Sequence, residues 1–415
     1  MQDAGASQDR SGEYLSALQA QLDRLTDRNS ALSDRVRKLE SDRALLRERL
    51  ARAQRRWYRP MRNVQMETRP PLSENSIHVP GVGAIPDVTL PIPAPKRDLV
   101  VATVLDEFSR AAFGPEMKCI DIPVYGLDQL EESVPDLLFV ESAFSGIDGS
   151  WSTRIARFGA PHPALKELVD WCRSRGIPTV FWNKEDPINY DWFISSASLF
   201  DHVFTVDSDM IDRYVRDLSH SRVAVLPFAA QPTIHHPPEN DDVRTGSVAF
   251  AGSYYVAKHP KRREQMEMLL GPATEFGLHI FDRFAGTKDE RFAWPARYRS
   301  AIMGGLTYAQ TLEAYRRYRV FLNVNTVTTS PTMCARRVFE LLASGTAIVT
   351  ADARAIRELI PPEIVSIVSS ANECRTTLEL LLNDGGGERG RQAMAWIHAG
   401  HTVSHRVDEV IRQVL

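Results

Sequence analysis

Carboxylates follow the apolar runs of the first half of this 415-residue chain, and basic residues follow the matching run in the second half. Asp106 comes directly after DLVVATVL (98–105), Glu141 closes DLLFV (136–140), and Glu185 and Asp186 lie in NKEDP behind PTVFW (178–182). Such groups, gathered on one edge, can take a proton from a hydroxyl or accept hydrogen bonds from several. Each also has a structural alternative: Asp106 as a helix cap, Asp186 as the turn before Pro187. In the second half SVAFA (247–251) leads into Gly252, Ser253 and Tyr254, and then into Lys258, Arg262 and Arg263. A glycine lets a ligand approach the backbone, and Lys or Arg beside it can neutralise a diphosphate; the alternative is a solvated helix face. Glu340 in RRVFELLASG can hold two hydroxyls, or can form an i, i+4 pair with Arg336.

Strands alternating with helical segments position these residues. Near-continuous apolar runs at 98–105, 136–140, 178–182, 199–206 and 223–226, and again at 247–251, 278–281, 321–325, 346–350 and 364–368, predict two α/β units with parallel sheets covered on both faces. The carboxyl ends of parallel strands share one edge, so acids distant in sequence converge there. Ser330 is expected to cap a helix with Pro331 at its first position, and Gly345 to stop it. At 100° per residue Val338, Leu341 and Leu342 share one face, with Arg336, Arg337 and Glu340 opposite. The loop from Asn325 to Thr332 then points at an anion site beside a helix N-terminus.

FWNKEDP, FAGSYY and RRVFELLASGTAIVT, in that order, resemble GT-B glycosyltransferases, specifically the CgeB-like, spore-coat-protein-like group, over residues 98–410. DEFS and ESAFSG resemble the acceptor-side half of that group. The resemblance implies two Rossmann-like domains facing across a cleft, with transfer of a sugar from a nucleotide-diphosphate donor to an acceptor hydroxyl and no cofactor or metal. It implies that Glu340 holds the ribose and that Gly252, Ser253, Tyr254, Lys258, Arg262 and Arg263 surround the diphosphate. GGLTY, with Gly305 and Tyr308, would pack on the base. Asn325, Ser330, Thr332, Met333, Arg336 and Arg337 complete the donor side. Glu185 or Asp186 is the expected base if the reaction inverts, with Asp106 and Glu141 on the same edge. One departure stands out: Thr332 occupies the position, eight residues before Glu340, where many retaining members carry a second glutamate. Two other classes fit the same residues, a nucleotide-sugar epimerase and a coiled-coil scaffold with an inactive body.

The N-terminal segment differs in kind. Leu18, Leu22, Leu25, Asn29, Leu32, Val36, Leu39, Arg43, Leu46 and Leu50 alternate by four and three, a heptad register. Asn29 at a core position favours a parallel homodimer, and Arg35 with Glu40 and Asp42 with Arg47 fall at bridging flanks. Expected divisions are a coiled coil (1–58), a Pro-rich linker (59–97), an N-terminal Rossmann-like acceptor domain (98–230), a C-terminal donor domain (246–390) and helices crossing back (391–415). The Arg55–Arg62 stretch, with Trp57 and Tyr58, is either a peripheral membrane contact or a solvated flank. A net charge of −3 argues against a nucleic-acid partner, and four scattered cysteines point to a cytoplasmic setting without zinc.

Overall fold

A computed structural model describes residues 19, 21–39, 41, 42, 45 and 76–415, except 92, 219, 288, 385 and 386. The chain divides into two units, Met1–Arg69 and Pro70–Leu415. In the first, residues 21–39 form a helix on which Leu22, Leu25, Leu32, Val36 and Leu39 are each more than half exposed. Intrahelical bonds such as Thr26 Oγ1 to Leu22 O (2.9 Å) occupy its polar side chains. The Arg55–Arg62 segment and the heptad positions Leu18, Arg43, Leu46 and Leu50 lie outside the described residues. No helix among the described residues is long and apolar enough to cross a membrane.

The second unit holds two six-stranded parallel sheets, an arrangement that fits a GT-B fold. The front sheet runs β4 (Lys118–Asp121), β3 (Val100–Val104), β5 (Leu137–Glu141), β6 (Thr179–Asn183), β7 (His202–Thr205) and β8 (Val223–Val225). The rear sheet runs β11 (Ile302–Gly304), β10 (Leu278–Asp282), β9 (Gly246–Gly252), β12 (Tyr318–Asn323), β13 (Ala347–Ala351) and β14 (Ser366–Val368). β5 and β6 are buried at every position, as strands covered on both faces must be. In each sheet the chain builds outward on one side and then crosses to the other, between β3 and β5 in front and between β9 and β12 behind. The crevices at these reversals are where open α/β sheets take ligands.

The Pro-rich stretch is more than a linker. Ser76–Val79 (β1) and Gly83–Pro86 (β2) form an antiparallel hairpin turned by Gly81 (φ 72°) and Gly83 (φ 90°). Val79 and Ile85 are fully buried in the rear core, and Asp87 accepts from Thr307 Oγ1 at 2.7 Å. Two four-residue strands among prolines carry too little periodicity to be read from sequence. Farther on, Lys96 and Arg97 both pair with the buried Glu116 at 2.7 Å.

The last helix returns to the front lobe. Gly387–Gly400 packs where a Cβ on Gly390 would come 2.9 Å from Gly345 O, which excludes any larger residue. Val403–Val414 then sets Val403, Val407 and Val410 into the front core with Val101, Leu105 and Phe113, worth about 1.5–3 kcal/mol for each fully buried side chain. Arg97 ties this helix down through Ser404 Oγ (2.8 Å) and Asp408 (2.7 Å).

Candidate active site at the facing sheet edges

On the front edge three charged residues form one group. Asp106 caps the helix Glu107–Phe113, accepting from Ser109 N at 3.2 Å. Glu141, at the end of β5, accepts from Asp106 N (2.6 Å), Lys184 Nζ (2.8 Å) and Ser109 Oγ (2.5 Å). Lys184 also pairs with Asp106. Only Asp106 keeps real access, with 29% of its side chain exposed against 8% for Lys184 and none for Glu141. Burial works against its charge, but Lys184 and Arg336 outweigh burial and hold Asp106 at about 2. Burial and the Asp106 charge push Glu141 up to about 7. Asp106 is therefore an ionised hydrogen-bond acceptor at the cleft, supported from beneath by the other two.

The two remaining front carboxylates lie elsewhere. Asp186 is fully buried and accepts from Asn183 Nδ2 (2.9 Å), Thr205 Oγ1 (2.7 Å) and Tyr214 OH (3.0 Å). With no solvent access and all these partners within its own lobe it is a structural carboxylate and not the expected base, and burial also pushes it up to about 7. Glu185 is half-buried and accepts from Asn189 Nδ2 at 2.7 Å within its own loop.

Behind β9, the site expected for a diphosphate is cationic. Gly252 closes β9 where a Cβ would meet the Phe250 ring at 2.9 Å and Arg262 Nη2 at 3.4 Å. The helix Pro260–Ala273 follows with no side-chain cap, its N-cap His259 being left-handed at φ 55°. Pro260 carries no N–H, and Arg262 N and Arg263 N donate to His259 O at 3.0 and 3.2 Å, so what this helix start offers an anion is its dipole. Arg262 Nε is buried with no hydrogen-bond partner, and Nη1 reaches only Val324 O at 3.5 Å. Desolvation lowers its guanidinium to about 10 and the Lys258 ammonium to about 8. Ser253 is buried beside them, and the Tyr254 ring lies 5.5 Å from Trp294. Arg263 differs from the expectation: its Nη1 is spent on Tyr255 O (3.0 Å) and Lys258 O (2.6 Å), which shapes the loop.

The donor-side loop is docked on the front lobe. Ser330 Oγ donates to Asp207 Oδ1 at 2.5 Å, and Thr332 Oγ1 donates to Val206 O and accepts from Ser208 N, both at 2.9 Å. Met333 packs against the front core. Ser330 accepts from Thr332 N and Met333 N, so it closes a turn, and the helix begins only at Arg336. Asn325 is structural: its Nδ2 donates to Ala351 O (2.7 Å) and Thr350 Oγ1 (3.2 Å), joining the ends of β12 and β13.

Glu340 is also placed differently from the expectation. It is 2% exposed and ringed by Tyr308 OH (3.1 Å), Tyr315 OH (3.2 Å), Arg336 Nε (2.9 Å) and His235 Nε2 (3.5 Å). Burial alone would raise its carboxyl, but Arg336, His235 and Arg337 together hold it below the usual range. His235 Nδ1 accepts from Gln231 N at 2.8 Å, which leaves the proton on Nε2, facing Tyr308 and Glu340. This carboxylate is not presented to a ribose: Glu340 is buried although Arg336 and Arg337, on the same face of its helix, are only half-buried. Tyr308 accordingly points at Glu340 and lies 4.6 Å from the Phe108 ring, not at an open base site. Gly305 packs against Asp282 O, and Arg337 Nε lies 3.4 Å from Tyr315 OH.

The sequence reading missed Lys184, Ser109, His235, Tyr315 and Asp207. Lys184 stood inside FWNKEDP among the carboxylates, and Tyr308 and Tyr315 are seven residues apart, two helical turns on one face. His235, in the segment between the sheets, carried no signal.

Residues 262–412 match a family model described as glycosyl transferase-like. That segment contains Arg262, the docked loop and Glu340. No curated protein matches the chain. Among solved structures it is similar to TarM (12% identity, TM-score 0.45, 69% of this chain and 57% of that one). It is also similar to HepE of Anabaena in complex with UDP-glucose (9%, TM-score 0.48, 76% and 98%) and to sucrose-phosphate synthase of Thermosynechococcus elongatus (12%, TM-score 0.43, 70% and 76%). The chain spans 57% of TarM's length.

Proposed function

We propose that the protein is a GT-B glycosyltransferase that moves a sugar from a nucleotide-diphosphate donor to an acceptor hydroxyl. The observation that carries this reading is Arg262, a desolvated guanidinium with an unpartnered Nε at the β9/β12 reversal, beside Gly252 and an uncapped helix start. Leaving a cation so shielded is costly unless a ligand supplies the counter-charge. Arg262, Lys258 and the helix dipole would stabilise the leaving diphosphate, in the role a metal takes elsewhere. Asp106 would accept a hydroxyl from sugar or acceptor across the cleft, and Glu185 is the remaining strand-end base for an inverting reaction.

Incubating the full chain with a panel of nucleotide sugars tests this. Release of nucleoside diphosphate, lost in Arg262→Ala, is the expected result. Conversion of the sugar with no diphosphate released would instead mark an epimerase, and no turnover and no binding a scaffold.

We further propose that the heptads pair two copies in parallel. The reading rests on the exposed Leu22, Leu25, Leu32, Val36 and Leu39 stripe and on Asn29, whose amide is satisfied by its own counterpart.

A further inference from the structure

We propose that the loop between β5 and the helix Pro163–Ser174 holds an oxyanion, a phosphate or carboxylate group, on the guanidinium groups of Arg154 and Arg157. Both residues are half-buried, and the Nε of each is shielded with no hydrogen-bond partner. Arg154 Nη1 reaches only carbonyls of its own loop, Ser150 O at 2.7 Å and Ser152 O at 3.2 Å. Other arginines of this lobe behave differently: Arg110 pairs with Asp121 at 2.7 Å and Arg173 with Asp201 at 2.8 Å.

The loop is held rather than loose. Arg157 N donates to Trp192 O (2.6 Å), Ser195 Oγ to Arg157 O (3.0 Å) and Ser196 Oγ to Ile155 O (2.7 Å), and the Phe158 ring lies 4.3 Å from Trp192. Thr153, just before the pair, is left-handed at φ 69°, a conformation that costs a β-branched residue energy and gathers at ligand sites. His162 caps the next helix, its Nδ1 accepting from Ala164 N at 3.1 Å, and after burial the charges of Arg157 and Arg154 lower its imidazole. Two guanidinium groups three residues apart on one anchored loop, neither Nε taken by a carboxylate, call for an oxyanion as counter-charge.

The loop leaves the carboxyl end of β5, the edge that also carries Asp106. On the reading proposed above, the anion is a charged group of the acceptor. Crystals of the full chain soaked in sodium selenate test the site without any variant. Anomalous selenium scattering within hydrogen-bond reach of both arginines is expected. Selenate at Arg262 with none at Arg154 and Arg157 overturns the subsite and leaves the donor reading standing; the reverse supports the subsite and counts against the donor reading. In solution, phosphate should raise the unfolding midpoint of Arg262→Ala by about 1–2 °C over chloride of equal ionic strength. Arg262→Ala/Arg154→Gln/Arg157→Gln should lose that rise, and an undiminished rise overturns the proposal. Glucose 6-phosphate that shifts the midpoint further than inorganic phosphate assigns the anion to a sugar acceptor, and an equal shift assigns it to a free ion.

Discussion

The guanidinium carbon of Arg336 lies 4.1 Å from the centroid of the Phe108 ring, so a cation of the rear lobe rests on an aromatic face of the front lobe. The same guanidinium carries its Nε to 2.9 Å from Glu340 and lends its charge to Asp106. Charges of alternating sign therefore run from Glu141 through Lys184, Asp106 and Arg336 to Glu340. The two lobes share one electrostatic unit at the place where substrates would meet.

Removing its central cation should be felt in folding. Arg336→Met takes from the buried Glu340 the largest charge that holds it ionised, and breaking a buried pair costs about 3–5 kcal/mol. Arg336 is 27% exposed, so a loss near 3 kcal/mol is expected in urea unfolding. A loss under 0.5 kcal/mol would contradict the assignment.

Asp186 gives the stability a distinct pH dependence. Its folded carboxyl is raised by burial to about 7, so its contribution is full below the ordinary carboxylate range and is lost as pH rises through 7. Wild-type protein should lose more stability between pH 5 and pH 8 than Asp186→Asn does. Equal losses would show that Asp186 is charged in the folded protein.

The Thr332 hydroxyl makes two hydrogen bonds across the lobes, to Val206 O and Ser208 N. Thr332→Val keeps the shape and strands both backbone groups, at a cost of about 1–3 kcal/mol. With the loop held only by Ser330 and Met333, kcat for sugar transfer should fall more than tenfold while donor affinity changes little. A normal kcat would mean that the docking plays no part in turnover.

Oligomeric state tests the heptads. Leu25→Glu/Leu32→Glu places charges in the stripe and should convert a dimer of the full chain into a monomer in sedimentation equilibrium, with the unfolding of the body unchanged. A monomeric wild-type protein would remove the pairing.

Much of the scaffold was legible because parallel strands announce themselves as unbroken apolar runs, and VVATV, LLFVE and TVFWN are all strands in the structure. The edge strand KCID is too polar and the strand IMG, at three residues, too short to do so. Gly252 and Arg262 could be singled out because one ends an apolar run and the other opens the helix after it, and local order is what a sequence displays. Glu340 was read as open because helical spacing puts it with Arg336 and Arg337 on a polar face. Its burial depends on Tyr308, Tyr315 and His235, which arrive from other segments. Asp186 was misread for the same reason, since Thr205 and Tyr214 bury it from beyond its own loop.

Arg262 bears most directly on the central claim. Titrating the full chain calorimetrically with UDP, GDP, ADP and TDP, and repeating the titration with Arg262→Ala, measures its share in holding a diphosphate. One charge-assisted contact is worth about 1.5–3 kcal/mol, so affinity for the preferred nucleotide should fall roughly ten- to hundredfold with the fold intact. A nucleotide bound equally well by both proteins, or no nucleotide bound by either, would contradict it.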